Sequence, residues 1–118
     1  MTECLFCRIA AGEIPAEIVL ESDTTVAFRD ITPKARVHVL VIPREHHETL
    51  AQLAEVDAQG AADLAVVAGK VAEAEGIAEP GYRVICNFGP DSGQEVPHVH
   101  LHVLGGEPLG PLVQPPGR

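Results

Sequence analysis

A chain of 118 residues fits one domain. Its 46% apolar content is enough for a core, and its net charge of −9 gives a nucleic-acid polymer or an anionic membrane nothing to hold. With no Trp and only 3% aromatics, that core must be built from Val, Ile, Leu and Ala, and a chain this short gains from a partner copy or a structural metal.

The first fifteen residues carry Glu3 and Glu13 and no long apolar run, unlike a secretion signal, and no stretch reaches the length of a membrane span. Three cysteines do not make a secreted disulfide scaffold, so the cytoplasm is the expected compartment. Cys4 and Cys7 begin the chain, and Gly12 and Pro15 mark a turn. Residues 17–21 and 24–30 read as two strands about a turn at Ser22–Asp23. Residues 37–42, Val-His-Val-Leu-Val-Ile, form a nearly continuous β-branched run, the mark of a central strand, which Pro43 closes. A short helix is expected around 48–54.

Over 57–75 the pattern turns helical. Ala61, Leu64, Ala65, Ala68, Val71 and Ala72 recur at spacings of three and four, with Asp57 as the N-cap and Gly76 as the stop. Residues 82–88 read as another strand, 89–97 as a Gly- and Pro-bearing loop, and 98–104 as the last strand. A tail rich in Pro and Gly follows from Gly105. The order predicts an α+β domain: an antiparallel sheet of about five strands with one main helix. The helix stripe and the apolar strand ends offer a face for a homodimer.

The last strand is the most informative segment. Side chains alternate along a strand, so His98, His100 and His102 share one face while Val99, Leu101 and Val103 pack under the helix on the other. Three aligned imidazoles can bind metal, supply a nucleophile with neighbours that fix its tautomer, or stand idle on a half-exposed surface. As ligands to a single ion they are poorly placed, because their α-carbons span roughly 13 Å. The preceding loop, Asn87 to Glu95, adds a second signal. Gly89 and Gly93 let backbone N–H groups approach an anion, and Asn87 offers a donor and an acceptor at a strand end. A phosphate cradled beside imidazoles is the reading these features share.

The segment Gly-Gln-Glu-Val-Pro-His-Val-His-Leu-His-Val-Leu-Gly-Gly resembles the signature of the histidine triad superfamily, and is most similar to its nucleotide-binding, adenosine phosphoramidase branch in bacterial form. The likeness covers the whole chain, with Phe6, Ile14-Pro15, Phe28-x-Asp30-Ile31, His38-x-Leu40-Val41-Ile42-Pro43, Gly81-Tyr82-Arg83 and Asn87 in matching places. It implies a dimerising domain that hydrolyses purine nucleoside phosphoramidates without a cofactor in the chemistry. By position, His100 is the nucleophile that becomes nucleotidylated, and His102 contacts the phosphate and the departing group. His98 and His38 form the orienting relay. Asp30 grips ribose hydroxyls; Phe6, Ile9, Ile14, Phe28, Ile31 and Leu40 form the purine slot. Asn87, Gly93 and Val96 meet the phosphate. Glu95 stands where many animal relatives carry a Ser that helps protonate the leaving amine. Two other readings are a nucleotide-binding protein without catalysis and a dinucleoside polyphosphate hydrolase. The run Val103-Leu104-Gly105-Gly106 favours the phosphoramidase branch over the latter.

Cys4-x-x-Cys7 is half a zinc site, a redox pair, or two buried thiols. The resemblance supplies two further ligands, His46 and His98, for a structural Cys₂His₂ zinc with no open position. Cys86, placed mid-strand, reads as core packing.

Overall fold

The computed structural model describes residues 4–112. It orders them as α1 (Leu5–Ala10), β1 (Ile18–Glu21), β2 (Thr25–Arg29), β3 (Val37–Pro43), α2 (Leu50–Val56), α3 (Ala58–Ala74), β4 (Tyr82–Ile85) and β5 (Leu101–Gly105). The tail expected from Gly105 lies outside the described residues from position 113 onward. The five strands form one antiparallel sheet in the order β1-β2-β3-β5-β4. This is the α+β architecture that the order of apolar runs indicates.

The sheet is covered differently on its two faces. Val39 and Val41 of β3, with Leu101 and Val103 of β5, pack against Leu64, Val67, Ala68, Val71 and Ala72 of α3. Leu40 and Ile42 point the other way and join Val26, Phe28 and Phe6 in a second apolar cluster. The continuous apolar run of β3 therefore serves two cores at once. The helix stripe differs at one position: Ala65 is exposed and Val67 is buried in its place. At 3.6 residues per turn, position 67 returns to the line of Leu64 and Val71, whereas 65 turns away from it.

Helix ends follow their capping residues. Thr49 Oγ1 accepts the Gln52 N–H at 3.0 Å, so α2 begins at Leu50, two residues later than the sequence suggests. Asp57 closes α2 and caps α3, its carboxylate accepting the Gly60 N–H at 2.9 Å. At the far end Gly76 takes φ +75°, its N–H bonds to the Glu73 carbonyl, and the Ile77 N–H bonds to that of Ala72. That pairing closes the helix as Gly at this position does, and buried Ile77 pins the exit. Arg29 of β2 donates from Nη1 and Nη2 to the Glu75 carboxylate, at 2.7 and 2.9 Å, and ties the helix end to the sheet.

β1 and β2 fall short of their sequence patterns by one and two residues, and two later strands depart by three at one end. β4 stops at Ile85 rather than Phe88, and β5 starts at Leu101 rather than His98. The backbone before β5 bonds elsewhere: the Val99 N–H donates to the His47 carbonyl at 2.7 Å, and the His98 N–H to that of Val96 at 2.8 Å. Helix α1 has no counterpart in the sequence reading. Six residues are too few to show a helical period, and its cap is Cys4, whose Sγ accepts the Cys7 N–H at 3.4 Å.

Candidate active site

His100 and His102 lie on the face of the sheet away from α3, and His38 reaches the same face from β3, where Leu40 stands opposite His102. Backbone groups decide where the protons sit. His100 Nδ1 lies 2.7 Å from the His98 carbonyl oxygen, which can only accept. The proton of His100 is therefore on Nδ1, and Nε2 keeps its lone pair. The ring is buried, with the Phe6 ring nearly perpendicular to it at a centroid distance of 4.9 Å.

His38 has the opposite polarity. The Lys34 backbone N–H donates to His38 Nδ1 at 3.1 Å, so the proton of His38 is on Nε2. That Nε2–H donates to His102 Nδ1 at 2.9 Å, which leaves His102 with its proton on Nε2. The neighbouring rings of His100 and His102, 4.9 Å apart, thus offer a lone pair and an N–H respectively. Asp30 Oδ2 sits 3.5 Å from His38 Nε2, while its Oδ1 accepts the Thr32 N–H at 2.8 Å. Asp30 thus closes a turn and faces the histidines. Asp30, His38 and His102 bring their ligand atoms within 4.8 Å of one another, yet the two imidazoles are spent on each other.

The expected relay divides in two. His38 orients His102 rather than His100, and His98 orients His100 through its carbonyl rather than its ring. The His98 ring donates Nε2–H to the Pro43 carbonyl at 2.9 Å and turns Nδ1 toward Cys4 and Cys7.

Beside these residues lies a cleft of about 320 Å³. It is lined by Asp30, His38, His100 and His102 together with Asn87, Gly93, Gln94 and Glu95. Gly93 holds φ +85°, where a side chain would strain the loop, and Gln94 Oε1 accepts the Gly89 N–H at 3.0 Å to close it. Lys34, Ile85 and Leu104 also line the cleft, and the sequence reading gave none of these three, nor Gln94, a role in the site. Gln94 lay inside the quoted triad segment and could have been read as a loop clasp; no pattern marks the Lys34 amide.

The apolar residues assigned to a base slot are spread more widely. Phe6, Phe28 and Leu40 are buried in the second cluster, with Ile9 and Val96 packed on it. Ile14 is half-buried, and Ile31 is 96% exposed beside Asp30. Cys86 is half-buried against the main core, where burial pushes its thiol up.

Burial pulls His102 down to about 4, with smaller contributions in the same direction from His100, His38 and Lys34 and an opposing one from Asp30. Burial also lowers His38, with Asp30 opposing and Lys34 assisting. Both rings are neutral at neutral pH. An unfolded chain protonates these imidazoles near 6.5, so as pH falls from there the unfolded state takes up protons first. The stability they contribute is complete above about 6.5 and is lost by about 4 for His102. Thermal unfolding followed by circular dichroism should show Tm falling across that window, with a shallower fall in His102→Asn. An unchanged slope would place the titration on another group.

The cysteine pair meets two imidazoles. Cys4 Sγ lies 3.3 Å from His98 Nδ1, and Cys7 Sγ lies 3.3 Å from His46 Nδ1 and 3.5 Å from His98 Nδ1. All four ligand atoms fall within 4.8 Å of one another. Zinc bonds of about 2.3 Å to sulfur and 2.0–2.1 Å to nitrogen, at the tetrahedral angle, separate S from N by about 3.5 Å. The four residues fit a closed tetrahedral site.

With this geometry established, comparison with known proteins supplies a family. The profile of the HIT domain matches residues 11–109, and the chain belongs to that family. It is 46% identical over 111 residues, 94% of this chain and 93% of the relative, to the purine nucleoside phosphoramidase of Escherichia coli (strain K12). Among solved structures it is similar to a HIT family hydrolase from Legionella pneumophila, at 46% identity and TM-score 0.86 over 98% of this chain and 100% of that one. A HIT family hydrolase from Clostridium thermocellum matches at 45% identity and TM-score 0.91, covering 97% and 99%.

Proposed function

We propose that the chain is a hydrolase that cleaves the P–N bond of purine nucleoside 5′-phosphoramidates through a nucleotidyl-histidine intermediate. The observation that carries this reading is the 2.7 Å bond from His100 Nδ1 to the His98 carbonyl, which leaves Nε2 with a lone pair at the cleft. That lone pair attacks the α-phosphorus, a P–Nε2 bond forms, and the P–N bond to the amine breaks. The Nε2–H of neutral His102, one ring away from His100, donates a hydrogen bond to the phosphoryl oxygen, and the nitrogen leaves as a neutral amine with a proton taken from solvent. Water then attacks phosphorus and gives up a proton to solvent, which balances the one the amine took; the P–Nε2 bond breaks with its electron pair returning to His100, and the nucleoside monophosphate leaves.

Asn87 and the Gly93 backbone serve the phosphate side with Val96, Asp30 serves the ribose, and Phe6, Ile9, Ile14, Phe28, Ile31 and Leu40 serve the base. Glu95 places a carboxylate at the cleft where the amine departs and favours cationic leaving groups. No cofactor enters the chemistry. Cys4, Cys7, His46 and His98 hold a structural zinc, which anchors the N-terminal helix to the sheet. The outer strand β4 exposes Tyr82 and Val84, and pairing across that edge makes the homodimer. The net charge of −9 disfavours nucleic-acid polymers and membranes as partners, and the cytoplasm is the compartment. Among the described residues no helix is long and apolar enough to cross a membrane.

Mass spectrometry of the protein acid-quenched during turnover of adenosine phosphoramidate tests the reaction class. An adenylyl adduct on His100 is expected. An adduct on another residue, or binding without any turnover, overturns it, and faster cleavage of a dinucleoside polyphosphate moves the substrate class.

A further inference from the structure

The cysteine–histidine cluster and the attacking histidine share a residue. Each polar group of His98 has its own task. Nε2–H donates to the Pro43 carbonyl, the backbone N–H donates to that of Val96, and the backbone carbonyl accepts from His100 Nδ1. Nδ1 faces the sulfurs of Cys4 and Cys7 at 3.3 and 3.5 Å. The residue is wholly buried. Its ring therefore belongs to the cluster, while its carbonyl decides which nitrogen of His100 keeps the lone pair.

A second connection runs through α1. Cys4 and Cys7 flank Phe6, whose ring stands nearly perpendicular to that of His100 and also 5.9 Å from that of His98. A helix of six residues does not hold its own shape in water. The anchors of α1 are the cysteines, Phe6 in the second apolar cluster, and the bond from Arg44 to the Ala10 carbonyl at 3.1 Å. The loop that brings His46 to the cluster is joined to the triad segment as well, through the His47 carbonyl and the Val99 N–H.

We propose that zinc held by Cys4, Cys7, His46 and His98 positions the nucleophile, by locking the His98 carbonyl and the Phe6 ring against His100. A bound ion would add four strong bonds that tie α1, the loop after β3 and the segment before β5 together. Without it, thiol S–H groups facing imidazole nitrogens are weak donors. His98 then keeps its bonds to Pro43 and Val96 but loses the fixed point at Nδ1, and α1 loses its tie to the His98 ring; an imidazole whose bond to that carbonyl lengthens divides its proton between two nitrogens. His98 and Phe6 act here as positioning residues, and their role rests on His100 being the group that attacks.

The test compares the full-length chain loaded with one equivalent of zinc, the same chain stripped by chelator, and His46→Ala. His46 is the exposed ligand, so its loss spares the core. Long-range ¹H–¹⁵N spectra read the His100 tautomer, and diethyl pyrocarbonate labelling mapped by mass spectrometry reads the reactivity of its Nε2. The expected result is one Nδ1–H tautomer in the loaded chain. On stripping, and in His46→Ala, the Nε2 resonance should move toward the protonated range and labelling of His100 should slow; zinc added back to the stripped wild type should restore both. The proposal is overturned by a His100 tautomer and labelling rate indifferent to zinc, or by failure of the chain to bind zinc stoichiometrically. Neither readout requires turnover. A zinc-dependent tautomer in a chain that hydrolyses no phosphoramidate would therefore sink the activity and leave the coupling standing.

Discussion

His100→Ala is expected to lower phosphoramidate turnover by a factor on the order of 10⁴ or more, as loss of a covalent nucleophile does elsewhere. Four decades correspond to about 5.4 kcal/mol of lost transition-state stabilisation. No neighbour can substitute. His102 gives Nδ1 to His38 and presents a proton rather than a lone pair, and His98 faces the cysteines. The cleft walls are otherwise untouched, so a nucleoside monophosphate should still bind, with a Kd by calorimetry within severalfold of wild type. Retained binding with abolished turnover is the outcome that identifies the nucleophile. Hydrolysis at the wild-type rate would remove His100 from the mechanism.

The largest expected effect on stability is at Leu64, whose side chain is completely buried in the middle of α3. Leu64→Ala removes apolar contact and leaves a cavity, at a cost of about 3 kcal/mol within a usual range of 2–5. Collapse around the gap is limited, because the neighbours Val39, Val41, Ala68 and Val71 are short and sit on rigid elements. For a domain of this size, that cost lowers Tm by roughly 10–20 °C. The site lies on the opposite face of the sheet, so kcat well below the transition should stay near wild type. Thermal and urea unfolding measure the first effect, and steady-state rates at low temperature measure the second. A Tm drop of only a degree or two would mean that α3 is not packed as described.

The β3 run and the α3 period were legible because each repeats a single physical signal over many residues, whereas alternation holds only from Leu101 onward: it places His102, while His98 and His100 precede the strand and the His98 ring turns to the cysteines. Asp57, Gly76 and Thr49 show where that legibility thins. The first two could be recognised as helix ends, whereas the role of Thr49 emerged only from its bond to Gln52. Helix α1 was hidden because six residues are shorter than two helical turns. The division of the relay was hidden for a different reason: it depends on which backbone groups face which ring nitrogens. The residue types His38, His98, His100 and His102 are compatible with several such arrangements. The four residues resembling a metal site do come together, although His46 and His98 are more than fifty positions apart in the chain. That proximity follows from the Val99–His47 backbone bond, which no side-chain pattern reports.

The Lys34 amide has a consequence for how this site can change. Two main-chain groups, the Lys34 N–H and the His98 carbonyl, assign opposite polarity to adjacent rings, and neither depends on the side chain of the residue that carries it. Substitutions at 34 can drift in size and charge without reversing the hydrogen bond that His38 donates to His102. Proline is the exception, since it alone lacks the amide hydrogen. The opposite polarity of the rings is thus a property of the backbone trace, sheltered from most point mutations and exposed to one.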